Sequence, residues 1–327
     1  ALPCSECPHV PKQALKSEQV SSPVAGPVGT DWREFLSAVP VGRRADGGLW
    51  TIPLYNRQGL LVAGKTGGGK SGVIWSLNIG LVPALIAGVV ELRGVDPKSI
   101  ELYRGRDFFA QYADDPEGMI DLLETAVSDM NERKAELRAT GADMFEPTTE
   151  TPLVIVEIDE LIMLNPKLMA EPKLAKRAMS AIITLLTQGR AFGYYVVGGI
   201  QDPRKEYLDQ RDLFQISVAL LLENDMAELV LSKAAVRNGA NCAAIPQGKD
   251  GAGTGYVMDT EQNGDEPMQV RAFWANPAAV KEWAAFLVEA RAADEAERVK
   301  AAQMVSEQAI RAASDGDGQV IPLPQSA

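Results

Sequence analysis

The sequence predicts an α/β fold: a doubly wound, mainly parallel sheet with helices on both faces. Three observations carry that expectation. Short apolar runs alternate with longer amphipathic segments through the middle of the chain. A glycine-rich loop stands between the first such run and a helical pattern, and a later run ends in two adjacent acids. Strands buried on both faces read as near-continuous apolar runs, and strand–helix alternation is what a parallel sheet requires.

The glycine-rich loop is the most informative stretch. Gly64, Lys65, Thr66, Gly67, Gly68, Gly69, Lys70 and Ser71 fit the pattern G-x-x-x-x-G-K-[ST] in full. Glycines let the backbone curl so that its amides point at phosphate oxygens, and the following helix start adds a field that favours negative charge. Lys70 is expected to reach the outer phosphates and the Ser71 hydroxyl to hold Mg²⁺. The competing reading, a glycine-rich turn that binds nothing, is disfavoured because strand, loop and helix occur in the required order.

Apolar runs at 60–63, 89–95, 153–158, 195–200 and 216–222 are the expected parallel strands. A helix is expected over 117–139, with Met119, Leu123, Ala126, Met130 and Leu137 on one face and Gly141 closing it. A second is expected over 173–188, with Pro172 in its first turn. Late strands at 255–258 and 268–274 flank a turn-rich piece, and a final helix runs over 278–290.

The run 153–158 is followed by Asp159 and Glu160. Behind an intact phosphate loop, such acids read as a Mg²⁺-side carboxylate (Asp159) and a group that polarises the attacking water (Glu160). They read otherwise as caps of the next helix. Glu157 interrupts a strand that should be buried on both faces, which requires either a partner or local opening. Asp96-Pro97-Lys98 ends the preceding strand, where ligands bind in open α/β sheets; on its own it reads as a proline turn with a solvated lysine. Gln201, at the tip of 195–200, is either a sensor of the terminal phosphate or part of a surface turn.

Composition sets bounds. The chain has 327 residues, 46% of them hydrophobic, and a formal charge of −12. No run of eighteen apolar residues occurs, so no membrane span is expected. Three cysteines (Cys4, Cys7, Cys242) without secretory features point to a reducing compartment. Cys4-x-x-Cys7 with His9 is half a zinc pattern without a second ligand pair. His9 is the one histidine, which argues against Ser-His-Asp and Cys-His catalysis. The acidic total requires any nucleic-acid contact to be local.

The combined set of motifs resembles the FtsK/SpoIIIE family of hexameric double-stranded DNA translocases, in particular the actinobacterial branch that moves plasmid DNA between mycelial cells. The resemblance runs over about residues 40 to 275. It is carried by 61–71, Asp96-Pro97-Lys98 through Leu102, Ile158-Asp159-Glu160, Gln188 through Gly193, Gln201-Asp202-Pro203-Arg204-Lys205, Arg211 through Phe214, Gly255-Tyr256-Val257 and Val270-Arg271. It implies a RecA-like motor core, ATP with Mg²⁺ between adjacent subunits of a homo-hexamer, and duplex DNA in a central pore. Lys70, Ser71, Asp159 and Glu160 then carry over to ATP and metal, and Gln201 to the γ-phosphate.

Two departures stand out. Relatives read Pro-Thr-Arg where this chain has Gln215, Ile216 and Ser217. An arginine in trans supplies roughly a thousandfold or more in rate, so Arg190 or Arg211 is the candidate substitute. Neither membrane-spanning helices before the core nor a winged-helix domain after it is visible. The expected organisation is a flexible arm (1–31), an FtsK-type ATPase domain (32–291), and a weak helix with a disordered tail (292–327). Lys249 and Arg271 are the candidate DNA contacts. The expected setting is cytoplasmic, with a partner protein for recruitment to membrane or septum. The alternatives are a slow nucleotide switch or scaffold, and a ring ATPase for single strands or for protein secretion.

Overall fold

The computed structural model describes residues 30–293 except 274, together with 300, 303–305 and 307. The expected arm, with Cys4, Cys7 and His9, and most of the expected tail lie outside the described residues.

In chain order the elements are α1 (Trp32–Leu36), β1 (Val39–Arg44), β2 (Leu49–Ile52), β3 (Gly59–Ala63), α2 (Lys70–Gly80), α3 (Val82–Ile86), β4 (Val90–Val95), β5 (Gln111–Ala113) and α4 (Pro116–Thr140). Then come β6 (Leu153–Ile158), α5 (Pro172–Phe192), β7 (Tyr194–Ile200), β8 (Ile216–Ala219), α6 (Asn224–Val230), α7 (Lys233–Arg237), β9 (Thr254–Asp259), β10 (Met268–Ala272) and α8 (Pro277–Ala292).

These strands form one ten-stranded sheet in the order β2-β1-β10-β9-β8-β3-β7-β6-β4-β5. From β8 to β5 every pairing is parallel. From β8 to β2 every pairing is antiparallel. The parallel order places β3 centrally and reverses direction of winding beside it, which opens a crevice at the carboxyl ends of the strands.

Alternation along β3 shows how the sheet divides its core. Leu60 and Val62 pack with Val73, Trp75 and Leu77 of α2, Leu85 of α3, and Trp283 and Leu287 of α8. Leu61 and Ala63 face the other way, onto Ile120 and Leu123 of α4 and Ile182 and Leu185 of α5. All five β3 residues are buried, and each Leu or Val so enclosed contributes on the order of 1.5–3 kcal/mol relative to exposure. The phosphate loop therefore leaves a strand that is buried along its whole length.

Several boundaries differ from expectation. The run 216–222 is a strand only to Ala219, because the next residues turn to the phosphate loop: Lys65 N donates to Leu221 O at 3.0 Å. α5 continues past Gly189 to Phe192; a Cβ at Gly189 would lie 2.5 Å from the Tyr194 carbonyl oxygen, so only glycine allows this close approach. Elements α1, β1 and β2 were not foreseen; β1 completes the antiparallel extension by pairing with β10. Among the described residues no helix is long and apolar enough to cross a membrane. Cys242 is a buried free thiol, pushed up to about 12 by burial.

Candidate nucleotide site

The loop from Gly64 to Gly69 is pinned at its start. Gly64 N donates to Ile200 O at 3.1 Å, and the Lys65 ammonium pairs with Glu223. Its end is a left-handed turn, with Gly69 at φ 97° as the cap of α2. A side chain at Gly69 is impossible on steric grounds as well: a Cβ there would lie 2.1 Å from Gly253 N. Lys70 Nζ donates to Gly64 O at 3.0 Å, folding the lysine back over the loop. Burial holds its ammonium below the usual lysine range, against the opposing pull of Glu160 and Asp159.

A cleft of about 460 Å³ opens over this loop. Lys65, Thr66, Gly67, Gly69, Lys70 and Ser71 line its floor, with Asp159, Glu160, Gln201 and Lys98 on one wall. Sequence reading named these groups, and the fold brings them together. Gly64 and Gly68 stand behind that surface as part of the loop's backbone. Asp159 N donates to Val95 O at 3.1 Å, so the β6 tip is held against β4.

Glu160 is 1% exposed and both its oxygens are engaged. Oε1 accepts from Gln201 N at 3.0 Å, and Oε2 pairs with Lys98 Nζ at 2.9 Å. Gln201 also accepts from Thr66 Oγ1 at 3.3 Å, linking the phosphate loop to the β7 tip. Lys98 is thus an inward ion-pair partner rather than a solvated lysine. Its loop is organised by buried Asp96, whose Oδ2 accepts from Leu102 N at 3.0 Å and Tyr103 N at 3.1 Å.

Glu157 has a partner. It is fully buried, and its Oε2 accepts from Asn78 Nδ2 of α2 at 3.0 Å. Burial raises its carboxyl to about 8, against the lowering effect of that hydrogen bond. Glu157 Oε1 and Asn78 Oδ1 both lack partners; a protonated carboxyl carries a donor, which a carboxylate does not.

The residues present fit a nucleoside triphosphate with a divalent cation. The amides of Gly69, Lys70, Ser71 and Gly72, the opening turn of α2, have no backbone acceptor and border the cleft. Asp159 is raised to about 7, first by burial and then by the negative charges of Asp96 and Glu101. Lys98 offsets this only in part, and a divalent cation bound there would supply the remaining positive charge. Mg²⁺ is held in this way, by one or two protein oxygens together with phosphates.

Other functional candidates sit elsewhere. Arg190 lies at the amino ends of the central strands, away from the cleft at their carboxyl ends; its Nε donates to Asn56 Oδ1 at 2.7 Å and its Nη1 meets Glu261 at 3.3 Å. Arg211 is 7% exposed and donates from Nη1 to Leu208 O at 3.1 Å, so it braces its own turn. Lys249 is exposed, and Arg271 Nη2 donates to its carbonyl at 3.1 Å. Sequence reading did not assign to the site Gly72, Ile100, Glu101, Arg104, Ala252, Gly253, Phe273, Ala275, Asn276 and Pro277, which complete the cleft. Asn276-Pro277 does carry a local signal, a helix cap followed by proline at the first helical position.

The model of the FtsK/SpoIIIE family matches residues 24–197. Among curated proteins, DNA translocase FtsK of Lactococcus lactis subsp. cremoris is 28% identical over 186 residues, 51% of this chain and 24% of that protein. Transfer protein TraSA of Streptomyces ambofaciens is 30% identical over 176 residues, 48% of this chain and 41% of that protein. The chain thus matches well under half the length of these relatives. Among solved structures, the pCW3 conjugation coupling protein TcpA in its monomer form with ATPγS aligns with a TM-score of 0.60 and 22% identity, over 76% of this chain and 70% of that one. EccC (ATPases 2 and 3) of Thermomonospora curvata, in complex with a signal sequence peptide, aligns with a TM-score of 0.62 and 17% identity, over 94% of this chain and 53% of that one. At these identities the two structures speak for the fold, a RecA-like phosphate-loop core. With its family model matched over more than half of the chain, this protein belongs to the FtsK/SpoIIIE family.

Proposed function

We propose that the protein is an ATPase that translocates double-stranded DNA, acting in plasmid transfer or DNA segregation as a homo-hexameric ring. The observation that carries the reading is the meeting, in one cleft, of Lys70, Ser71, Asp159, Glu160 and Gln201. Kinship with an FtsK translocase and a transfer protein supports DNA as the substrate.

Bound Mg·ATP supplies a terminal phosphoryl group for transfer to water. The loop amides from Gly69 to Gly72, with Lys70, bind and neutralise phosphate oxygens. Ser71 and Asp159 would hold the cation, which would offset charge on the phosphate oxygens. Glu160 accepts the water proton at Oε2 once Lys98 Nζ turns from it, a role worth about 10²–10⁴ in rate. Gln201 reports on the outer phosphate through its ties to Glu160 and Thr66.

Of the two arginines considered for a contact in trans, Arg190 is the better placed. Its side chain is 41% exposed at the end of the strands opposite the cleft, a surface that a head-to-tail ring could bring to a neighbouring cleft. Lys249 and Arg271 are proposed to contact the DNA backbone, which gives grip without sequence preference. Repetition around a ring concentrates those charges in one channel despite the acidic total. A cytoplasmic setting and a membrane partner belong to the same proposal.

The test is the ATPase rate at stated salt with linear duplex DNA, with single-stranded DNA, and with neither. The reading expects stimulation by duplex. Stimulation by single strands alone points to a coupling ATPase, and slow turnover unaffected by either points to a switch.

A further inference from the structure

Ala252 and Gly253, the end of the segment 248–253, lie against the phosphate loop, some 180 residues further along the chain. Gly253 N donates to Gly68 O at 3.0 Å, and Gly253 O accepts from Ala272 N of β10 at 2.9 Å. In a trans peptide the carbonyl and the following amide point in opposite directions. Turning the Gly68 carbonyl toward Gly253 therefore points the Gly69 N–H the other way; Gly69 borders the cleft and its amide has no backbone acceptor. The same segment carries exposed Lys249 at its other end. Ala252 N donates to Gly248 O at 2.9 Å, and Arg271 holds the Lys249 carbonyl.

We propose that Gly253 is a positioning residue for the phosphate loop, and that residues 248–253 transmit the state of the nucleotide cleft to the face bearing Lys249. The proposal rests on the nucleotide-binding reading above. Gly253 has φ 76°, a conformation that glycine adopts freely, asparagine tolerates and alanine resists. Space is not the constraint, since a Cβ there would first meet Ala272 Cβ at an ordinary 3.4 Å. A substitution therefore acts first through the backbone conformation of Gly253 and the direction of its N–H.

The experiment is calorimetric titration of Mg·ATPγS into the wild type, Gly253→Ala and Gly253→Asn. It is paired with hydrogen exchange over 248–254 and succinimidyl-ester labelling of Lys249 in the wild type, with Lys173 as the control. Gly253→Ala is expected to weaken binding about tenfold, as loss of one aimed donor to a phosphate would, and Gly253→Asn to recover most of it. Nucleotide is expected to slow exchange over 248–254 and to change Lys249 labelling by about threefold, with Lys173 unchanged. Wild-type binding with Gly253→Ala within about twofold overturns the positioning role. Wild-type binding that leaves Lys249 and its peptide unaffected overturns the transmission. A wild type that fails to bind sinks the nucleotide reading itself, and this inference with it. Should Gly253→Ala fail to fold, the wild-type exchange and the asparagine variant decide.

Discussion

The parallel and antiparallel halves of the sheet contribute to the cleft in different currencies. In the parallel half the strand tips end in charged or polar groups: the phosphate loop after β3, Lys98 beyond β4, Asp159 and Glu160 after β6, and Gln201 after β7. The antiparallel half contributes Ala252 and Gly253 ahead of β9 and Phe273, Ala275, Asn276 and Pro277 after β10, with no titratable group among them. One half supplies charge where it is to act; the other supplies backbone, shape and exclusion of water. A polar cluster in a partly dry cleft interacts more strongly than one in water, so the second contribution sets the strength of the first.

Changes in the two halves should therefore fail differently. The largest effect is expected from Lys70→Ala in the parallel half. It removes the one lysine folded over the loop, and nucleotide binding measured by calorimetry is expected to vanish. Next, Glu160→Gln is expected to leave Mg·ATP binding intact while lowering kcat by about 10²–10⁴; comparable losses in binding and turnover would contradict its role as proton acceptor.

Glu157 sharpens the comparison within a single strand. Two residues before the charged tip, it is buried and protonated in the neutral range, with its carboxyl at about 8. An acid raised on folding contributes its full stability below the ordinary carboxylate range and loses it as pH rises toward that value. Between about pH 5 and 8 the wild type is thus expected to lose stability relative to Glu157→Gln, on the order of 1 kcal/mol per pH unit. Denaturation midpoints at several pH values measure this, and parallel curves would count against a neutral Glu157.

The smallest effect is expected in the antiparallel half. Asn276 caps α8 by accepting from Ala279 N at 2.9 Å. Asn276→Ala should cost about 1 kcal/mol of stability. It should also raise KM a few-fold with kcat unchanged, the signature of a wall rather than a reacting group. A fall in kcat without a change in KM would erase the distinction between the halves.

The same division explains what the sequence made legible. Lys70, Ser71, Asp159 and Glu160 lie in contiguous motifs whose chemistry is local, and near-continuous apolar runs announced the parallel strands around them. Gly253 reaches the site only through a backbone hydrogen bond to Gly68, and Phe273 only through the pairing of β10 with β9 and β1. Nothing in their own neighbourhoods encodes those contacts. Strands β1 and β2 escaped notice because Gly42, Arg43 and Arg44 break the apolar pattern, and because β2 is only four residues long. Lys98 looked like a turn lysine since its partner, Glu160, stands 62 residues away.

The central claim is that the curled amides ahead of α2 and the acids at the β6 tip form one site for a triphosphate and its cation. Calorimetric titration of ATPγS with and without Mg²⁺, on the wild type, Lys70→Ala and Asp159→Asn, tests it most directly. The account expects saturable binding strengthened by Mg²⁺ in the wild type, none in Lys70→Ala, and binding indifferent to Mg²⁺ in Asp159→Asn. Equal affinity across all three proteins would contradict it.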